Sequence, residues 1–239
     1  MRLATAATLF LALAAAPARA TNTVPPPLVG VSREQLCVSN GAITTGSDGQ
    51  LVIETPSAGA RLLAGTAQSA ELHFRFWGPS AIQKPLATGE RRRQIGLKLL
   101  AEDGCNLVTA LWHIAPDHGL PDHGLHVLLK RNPASHTSQQ CGARGTVEMK
   151  PETAKPLPKI HPGEDHILGA ELAGGRLTVR VDRTVVWQGA LGDAIAGLAG
   201  PVGLRTDNVH IDFEFFTPSG NANAASTASG GHCVPSPND

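Results

Sequence analysis

The sequence predicts an all-β fold, two antiparallel sheets packed face to face as a β-sandwich. Three observations carry this. Apolar residues alternate with polar ones through Leu72, Phe74 and Phe76, through Leu177, Val179 and Val181, and through Val209, Ile211, Phe213 and Phe215. A period of two is the mark of strands with one buried and one wet face. Turn signals such as Gly46-Ser47-Asp48-Gly49, Glu102-Asp103-Gly104 and Ala173-Gly174-Gly175 punctuate the chain, as short strands require. There are no heptads and no long amphipathic helix.

The chain opens MRLATAATLFLALAAAPARA, a basic residue followed by an apolar run and an Ala18-Arg19-Ala20 site. That pattern predicts a signal peptide over 1–20 and a secreted or periplasmic protein. Pro17 and Arg19 interrupt the run too early for a membrane anchor, and no Cys follows the cleavage site to carry a lipid. Residues 21–34 form a Pro-rich leader, 35–217 a single β-sandwich domain, and 218–239 a low-complexity tail. Without Arg2 and Arg19 the chain carries 18 basic residues against 20 acidic ones, a net charge of −2. That balance gives no electrostatic case for nucleic acid or anionic membranes. Tyr is absent, so aromatic platforms must come from Trp77, Trp112, Trp187 or the six Phe.

The strands follow in order. Leu51-Val52-Ile53 is the clearest of several short ones over 35–55, and 70–77 is a strand ended by Gly78-Pro79-Ser80. A long loop over 80–92 leads into a strand over 94–100. Residues 106–116 and 124–132 form a hairpin whose tip holds PDHGL twice in tandem, making His118 and His123 loop residues and not a metal pair. Insertions at exposed tips cost little because loop-closure entropy grows slowly with length. A short strand over 146–149, a Pro/Lys-rich loop over 150–162 and a strand over 164–172 come next. Leu177 to Val181 then turns at Asp182-Arg183, and Val185 and Trp187 resume an apolar face. The Gly-rich stretch 189–200 has room for one short helical turn. Arg205, Thr206, Asp207 and Asn208 fill the last turn before the final strand.

Four Cys allow three pairings. Cys105–Cys141 would close the base of a hairpin and Cys37–Cys233 would tie the two tails, and these are the expected bridges. No C-x-x-C spacing suggests zinc, and the Asp207-Asn208 turn offers too few oxygens to claim calcium. No cofactor is expected.

The succession AELHFRFWGPS, LTVRVDRTVVWQG and GPVGLRTDNVHIDFEFF resembles the concanavalin A-like lectin and glucanase jelly rolls, including laminin-G-like domains and the 3-keto-disaccharide hydrolase-like group. The resemblance spans about 70–216. It implies a jelly roll whose last strand lies beside the first, and carbohydrate as ligand class. The chain departs from the catalytic members in lacking an E-x-D-x-(x)-E string.

Several residues could form a site. Asp212 and Glu214 share one strand face and could act as acid and base. If first and last strands pair, His73 and Arg75 lie beside them, and cross-strand charge pairing is the preferred role. Arg91, Arg92, Arg93 and Gln94, followed by Lys98, form a second constellation, whose three arginines could hold a carboxylate-bearing sugar through bidentate guanidinium contacts. His113 would join them on the next strand, where Leu107, Thr109, Leu111 and His113 share one face and Val108, Ala110, Trp112 and Ile114 the apolar other. His113 should therefore look outward or into the concave groove, and Trp112 into the core. Lys130 and Arg205 complete the candidate ligand-binding set. The resulting expectation is an exported module that binds carbohydrate or a cell-surface component without chemistry of its own. Two alternatives stand: a glycoside hydrolase or polysaccharide lyase acting through His113, Asp212 or Glu214, and a structural module of the envelope. A groove joining His113 to Arg93 or to the Asp212/Glu214 pair would favour the enzyme, and an exposed Trp77 or Trp112 the binding module.

Overall fold

The computed structural model describes residues 26–66, 68–85, 91–114, 123–227 and Cys233. The expected signal peptide over 1–20, His118 and most of the PDHGL repeat lie outside the described residues.

Two antiparallel sheets make up the sandwich. One has nine strands. It runs β11 (Thr153–Ala154), β14 (Thr184–Ala190), β13 (Arg176–Val181), β12 (Glu164–Ala173), β6 (Ser69–Pro79), β16 (Val209–Pro218), β4 (Leu51–Ile53) and β3 (Thr44–Thr45), with β1 (Leu28–Val31) also paired to β16. The other has seven, in the order β10 (Thr146–Glu148), β9 (Gly124–Lys130), β8 (Leu107–Ile114), β7 (Arg93–Leu99), β15 (Gly203–Asp207), β5 (Ser57–Leu62) and β2 (Leu36–Asn40). The period-two residues of the sequence meet between the sheets. Leu72, Phe74 and Phe76 of β6 and Ile211, Phe213 and Phe215 of β16 face Ile95, Leu97 and Leu99 of β7 and Val108, Ala110 and Trp112 of β8, all buried.

β6 and β16 pair along their length, with Phe74 opposite Phe213 and Arg75 opposite Asp212, so first and last long strands are neighbours as expected. Both expected disulfides are present, Cys105–Cys141 and Cys37–Cys233. The Asp182-Arg183 turn is real and tight: both residues have positive φ, 49° and 66°, the twist that joins right-handed strands in a two-residue hairpin. The 189–200 stretch holds one 3-10 turn, Gly192–Ile195.

The structure differs from the sequence reading at six places. Residues 205–207 are not turn but strand. Leu204 and Thr206 are fully buried between the sheets while Arg205 points out, a short alternation broken by no breaker residue. β5 went unread because its inward side chains, Ala58 and Ala60, are small and weakly β-forming, though both are fully buried. On β14 it is Val186, not Val185, that is buried beside Trp187, because a β-bulge opposite Val179/Arg180 inserts one residue and shifts the faces. Within the Pro/Lys-rich loop, Thr153–Ala154 pairs with β14. In the tail, Ser219–Thr227 forms a helix, which buries Ala222 and Ala225 and receives a hydrogen bond from Gln35 Nε2 to the Ala222 carbonyl. The leader likewise contributes β1 to the edge of β16. No helix among the described residues is long and apolar enough to cross a membrane.

Trp112 is fully buried and edge-on to Phe74, 6.1 Å between centroids. Trp112→Ala should therefore cost roughly 3–5 kcal/mol, read as a lower urea midpoint at constant slope. Trp77, 43% exposed, should tolerate the same change with little loss. Equal losses at the two positions would contradict this face assignment.

Candidate functional site

The outer face of the nine-stranded sheet carries a cleft of about 720 Å³ between β6, β12 and β16. Asp212 and Glu214 lie there, opposite Arg75 and His73 of β6. Their neighbours are already engaged with one another. Arg75 donates from Nε and Nη2 to both carboxylate oxygens of Asp165, at 2.8 and 2.6 Å, which holds the Asp165 carboxyl below its usual range and the Arg75 guanidinium above its own. Trp77 Nε1 donates to Asp212 Oδ2 at 2.6 Å, and the Arg75 guanidinium sits 5.7 Å over the Trp77 ring. His73 contacts Glu71 at 2.9 Å. Arg75 thus pairs across strands with Asp165 of β12 and His73 contacts Glu71 of its own strand, in place of the expected pairs with Asp212 and Glu214 of β16.

The outer face of the seven-stranded sheet is built differently. A groove of about 300 Å³ crosses it. Its floor is shaped by glycines. Arg205 lies in register between Gly59 of β5 and Gly96 of β7. A Cβ on Gly96 would fall 2.5 Å from Leu111 Cδ2, and one on Gly59 would fall 3.1 Å from Lys98 Nζ. These two positions lack side chains where Leu111 and the Lys98 ammonium fold down onto the sheet. Lys98 is only 9% exposed. Asp207 sits beneath, 3% exposed, accepting from Arg205 Nε at 2.9 Å, from Ser57 Oγ at 2.9 Å and from Gln94 Nε2. Leu107, Leu111 and Leu128 line the groove together with Arg92, Lys98, Lys130 and Arg205. Lys130 is tethered by its ammonium to the Gly104 carbonyl at 3.1 Å.

The sequence-predicted residues thus separate. Lys130 and Arg205 are in the groove. Arg91 is exposed just before β7, and it is Arg92 that reaches the groove lining. Arg93 pairs with Ile114 and shares the inward side of β7 with Ile95, whereas His113 pairs with Gln94 on the outward side. Arg93 and His113 therefore do not face one another. Nor does His113 meet Asp212 and Glu214, which lie beyond the other sheet. His113 keeps its expected face but is not exposed. It is 3% accessible and stacked under His126, ring centroids 4.0 Å apart, and neither ring nitrogen has a hydrogen-bond partner. His126 is itself held by Glu148 through Nδ1 at 2.7 Å. Gly59 in the groove lining and Asp207 beneath it are the residues not singled out as ligands. Alternation on β7, where Gln94, Gly96 and Lys98 interleave with Ile95, Leu97 and Leu99, is the sequence signal for Gln94 and Lys98, and nothing local announces Gly59 of β5 or Asp207 of β15.

Two twisted antiparallel sheets with this strand order define the concanavalin A-like jelly-roll fold. No protein-family model and no curated protein matches the sequence. Among solved structures, the carbohydrate-binding module CBM66 from Bacillus subtilis superposes with a TM-score of 0.50 at 14% identity, over 75% of this chain and 91% of that one. The metal-free carbohydrate recognition domain of Emp46p gives 0.48 at 11% identity, over 77% and 87%. The exoplasmic/lumenal domain of VIP36 in a Ca²⁺- and Man-bound form gives 0.47 at 13%, over 79% and 88%.

Burial, reinforced by the nearby positive charge of His126 and Arg92, pushes the His113 pKa down from 6.5 to about 3. The unfolded chain binds this proton below pH 6.5 and the folded one does not. The stabilisation is therefore complete above that pH and is lost as pH falls from 6.5 towards 3, at about 1.4 kcal/mol per pH unit for one such group. Urea midpoints measured from pH 7 to pH 4 should fall more steeply for the natural chain than for His113→Gln. Parallel slopes would show that His113 is readily protonated in the fold.

Proposed function

We propose that this protein is an exported carbohydrate-binding module whose ligand lies in the groove over β7, β8 and β15. The observation that carries the reading is the composition of that groove. Apolar side chains of Leu107, Leu111 and Leu128 alternate with hydrogen-bonding groups of Gln94, Thr109 and Ser138, and Leu111 and Lys98 fold down over Gly96 and Gly59. Pyranose rings present that same mixture, C–H faces and hydroxyl rims, and small-ligand sites use it to combine burial with orientation. The fold is that of a structure described as a carbohydrate-binding module. Two disulfides and the leader sequence favour an oxidising compartment outside the cytoplasm. Hydrolysis by a carboxylate pair would need two acids flanking the bond, about 5–9.5 Å apart, and the described groove lining contains no carboxylate. This favours binding over cleavage.

The test is a glycan array probed with the mature, oxidised chain, followed by calorimetry on the hits. Gly59→Ala is the discriminating variant. Its Cβ meets the mobile end of Lys98 and the Ser39 hydroxyl at 3.2 Å, so the fold should survive with a change within about 1 kcal/mol while the displaced ammonium weakens binding several-fold. Bound glycan unaffected by Gly59→Ala, but lost in Trp77→Ala, would move the site to the opposite sheet. Release of new reducing ends or unsaturated products from a bound glycan would favour the enzyme.

A further inference from the structure

Of the three tryptophans, Trp112 and Trp187 are buried, and Trp77 stands 43% exposed on the cleft between β6, β12 and β16. The strand pairing singles it out. Phe76 of β6 pairs with Ile211 of β16 and Gly78 pairs with His210, which leaves Trp77 as an extra residue with no partner opposite. Gly78 follows with φ of 127°, a backbone that glycine adopts without strain. Such a bulge bends its strand and re-aims the side chain it carries. Here the bulged residue is an indole facing a cleft of about 720 Å³, within the range of about 300–1,000 Å³ that small-ligand sites occupy.

The indole is held before any ligand arrives. Its Nε1 donates to Asp212 Oδ2 at 2.6 Å, and the Arg75 guanidinium lies 5.7 Å from the ring centre. Arg75 is itself fixed by both oxygens of Asp165. These groups are exposed, and exposed ion pairs add little to stability. Their effect is on order, because a side chain already fixed loses little freedom on binding. The same set decides what the ring accepts. A ligand cation would find the place over the indole taken by Arg75. A ligand anion would meet Asp212 and, two residues along the same strand face, the exposed Glu214. A neutral ring with C–H groups on its face and hydroxyls on its rim suits both parts. It stacks on the indole and donates O–H to carboxylates, which only accept.

We propose that this cleft is a second saccharide site, for a neutral glycan, with Trp77 as the stacking platform, Asp212 and Glu214 as hydroxyl acceptors and Arg75 as a positioning residue. It goes beyond the groove reading and stands independently of it. With both sites filled, one chain bridges two glycan segments, and a glycan surface is held more tightly than a free oligosaccharide.

The experiment uses the mature, disulfide-bonded chain and acrylamide quenching of its tryptophan fluorescence, which reads Trp77 because the other two tryptophans are buried. The probes are neutral hexasaccharides of glucose, mannose and galactose, oligogalacturonate, and hexaarginine. The expected result is saturable protection of Trp77 by at least one neutral hexasaccharide, unchanged in Gly59→Ala on the other sheet. Calorimetry with that saccharide should show binding at the cleft lost in Trp77→Ala. Glu214→Gln should weaken it about tenfold, the worth of one hydrogen bond to a charged group. Arg75→Gln should weaken it several-fold and increase quenching of the free protein at an unchanged urea midpoint, as a positioning role requires. No protection by any neutral hexasaccharide would overturn the cleft site, and calorimetric binding of one of them would then leave the groove reading standing. Hexaarginine or oligogalacturonate protecting Trp77 as well as the neutral sugars would overturn the neutral ligand. Protection of Trp77 with every bound saccharide indifferent to Gly59→Ala would support the cleft and remove the groove.

Discussion

The structure turns on a single residue between two strands. β15 ends at Asp207 in the middle of one sheet, and β16 begins at Val209 in the middle of the other. Asn208 alone carries the chain across. It does so with φ of 54°, a left-handed conformation that Asn tolerates better than most residues. It is fully buried, so every polar group it owns must find a partner. Its amide oxygen accepts from the Lys84 N–H, its amide nitrogen donates to the Lys84 and Arg92 carbonyls, its own N–H reaches the Pro56 carbonyl, and its carbonyl accepts from the Ser80 N–H. The crossing thereby fastens the loop after β6, the approach to β7 and the approach to β5.

That crossing also sets the faces. Arg205 and Asp207 project from the seven-stranded sheet, while Asp212 and Glu214, only a few residues on, project from the nine-stranded one. Residues close in sequence are thus committed to opposite sides of a sandwich whose core fills the space between. The acidic side satisfies its charges largely by pairing them across strands, as Arg75 does with Asp165. The basic side gathers its charges over glycines.

The long strands were legible because their alternation is carried by large residues: β6, β13 and β16 declare themselves through Leu, Val, Ile and Phe. The inward turn of Trp112 follows from the same alternation, the two disulfides from the placement of the cysteines, and the pairing of β6 with β16 from the family resemblance. What escaped it has physical causes. β5 buries alanines, whose weak strand preference conceals the alternation. β15 hides behind polar residues that resemble a turn, Arg205 to Asp207, yet Thr206 is wholly inside. The bulge in β14 changes which valine is buried, and nothing in the local sequence announces it. The site was half legible. Lys130 and Arg205 were recognised as cations without a common place, Arg93 was given the wrong face, and His113 the right face but not its cover by His126. Cross-strand register decides each of these, and register depends on distant partners.

The Cys37–Cys233 bridge joins residues 196 positions apart, whereas Cys105–Cys141 spans 36. A chain made from its amino end exposes the Cys37 thiol first and supplies its partner last. In the interval both members of the short bridge come within reach, and either could capture the waiting thiol by oxidation or exchange. The native pairing therefore depends on order: the short loop must close promptly, and strand β2 must shelter Cys37, now only 2% exposed, until the final residues arrive. Correct assembly of this domain is accordingly a matter of timing as well as of packing.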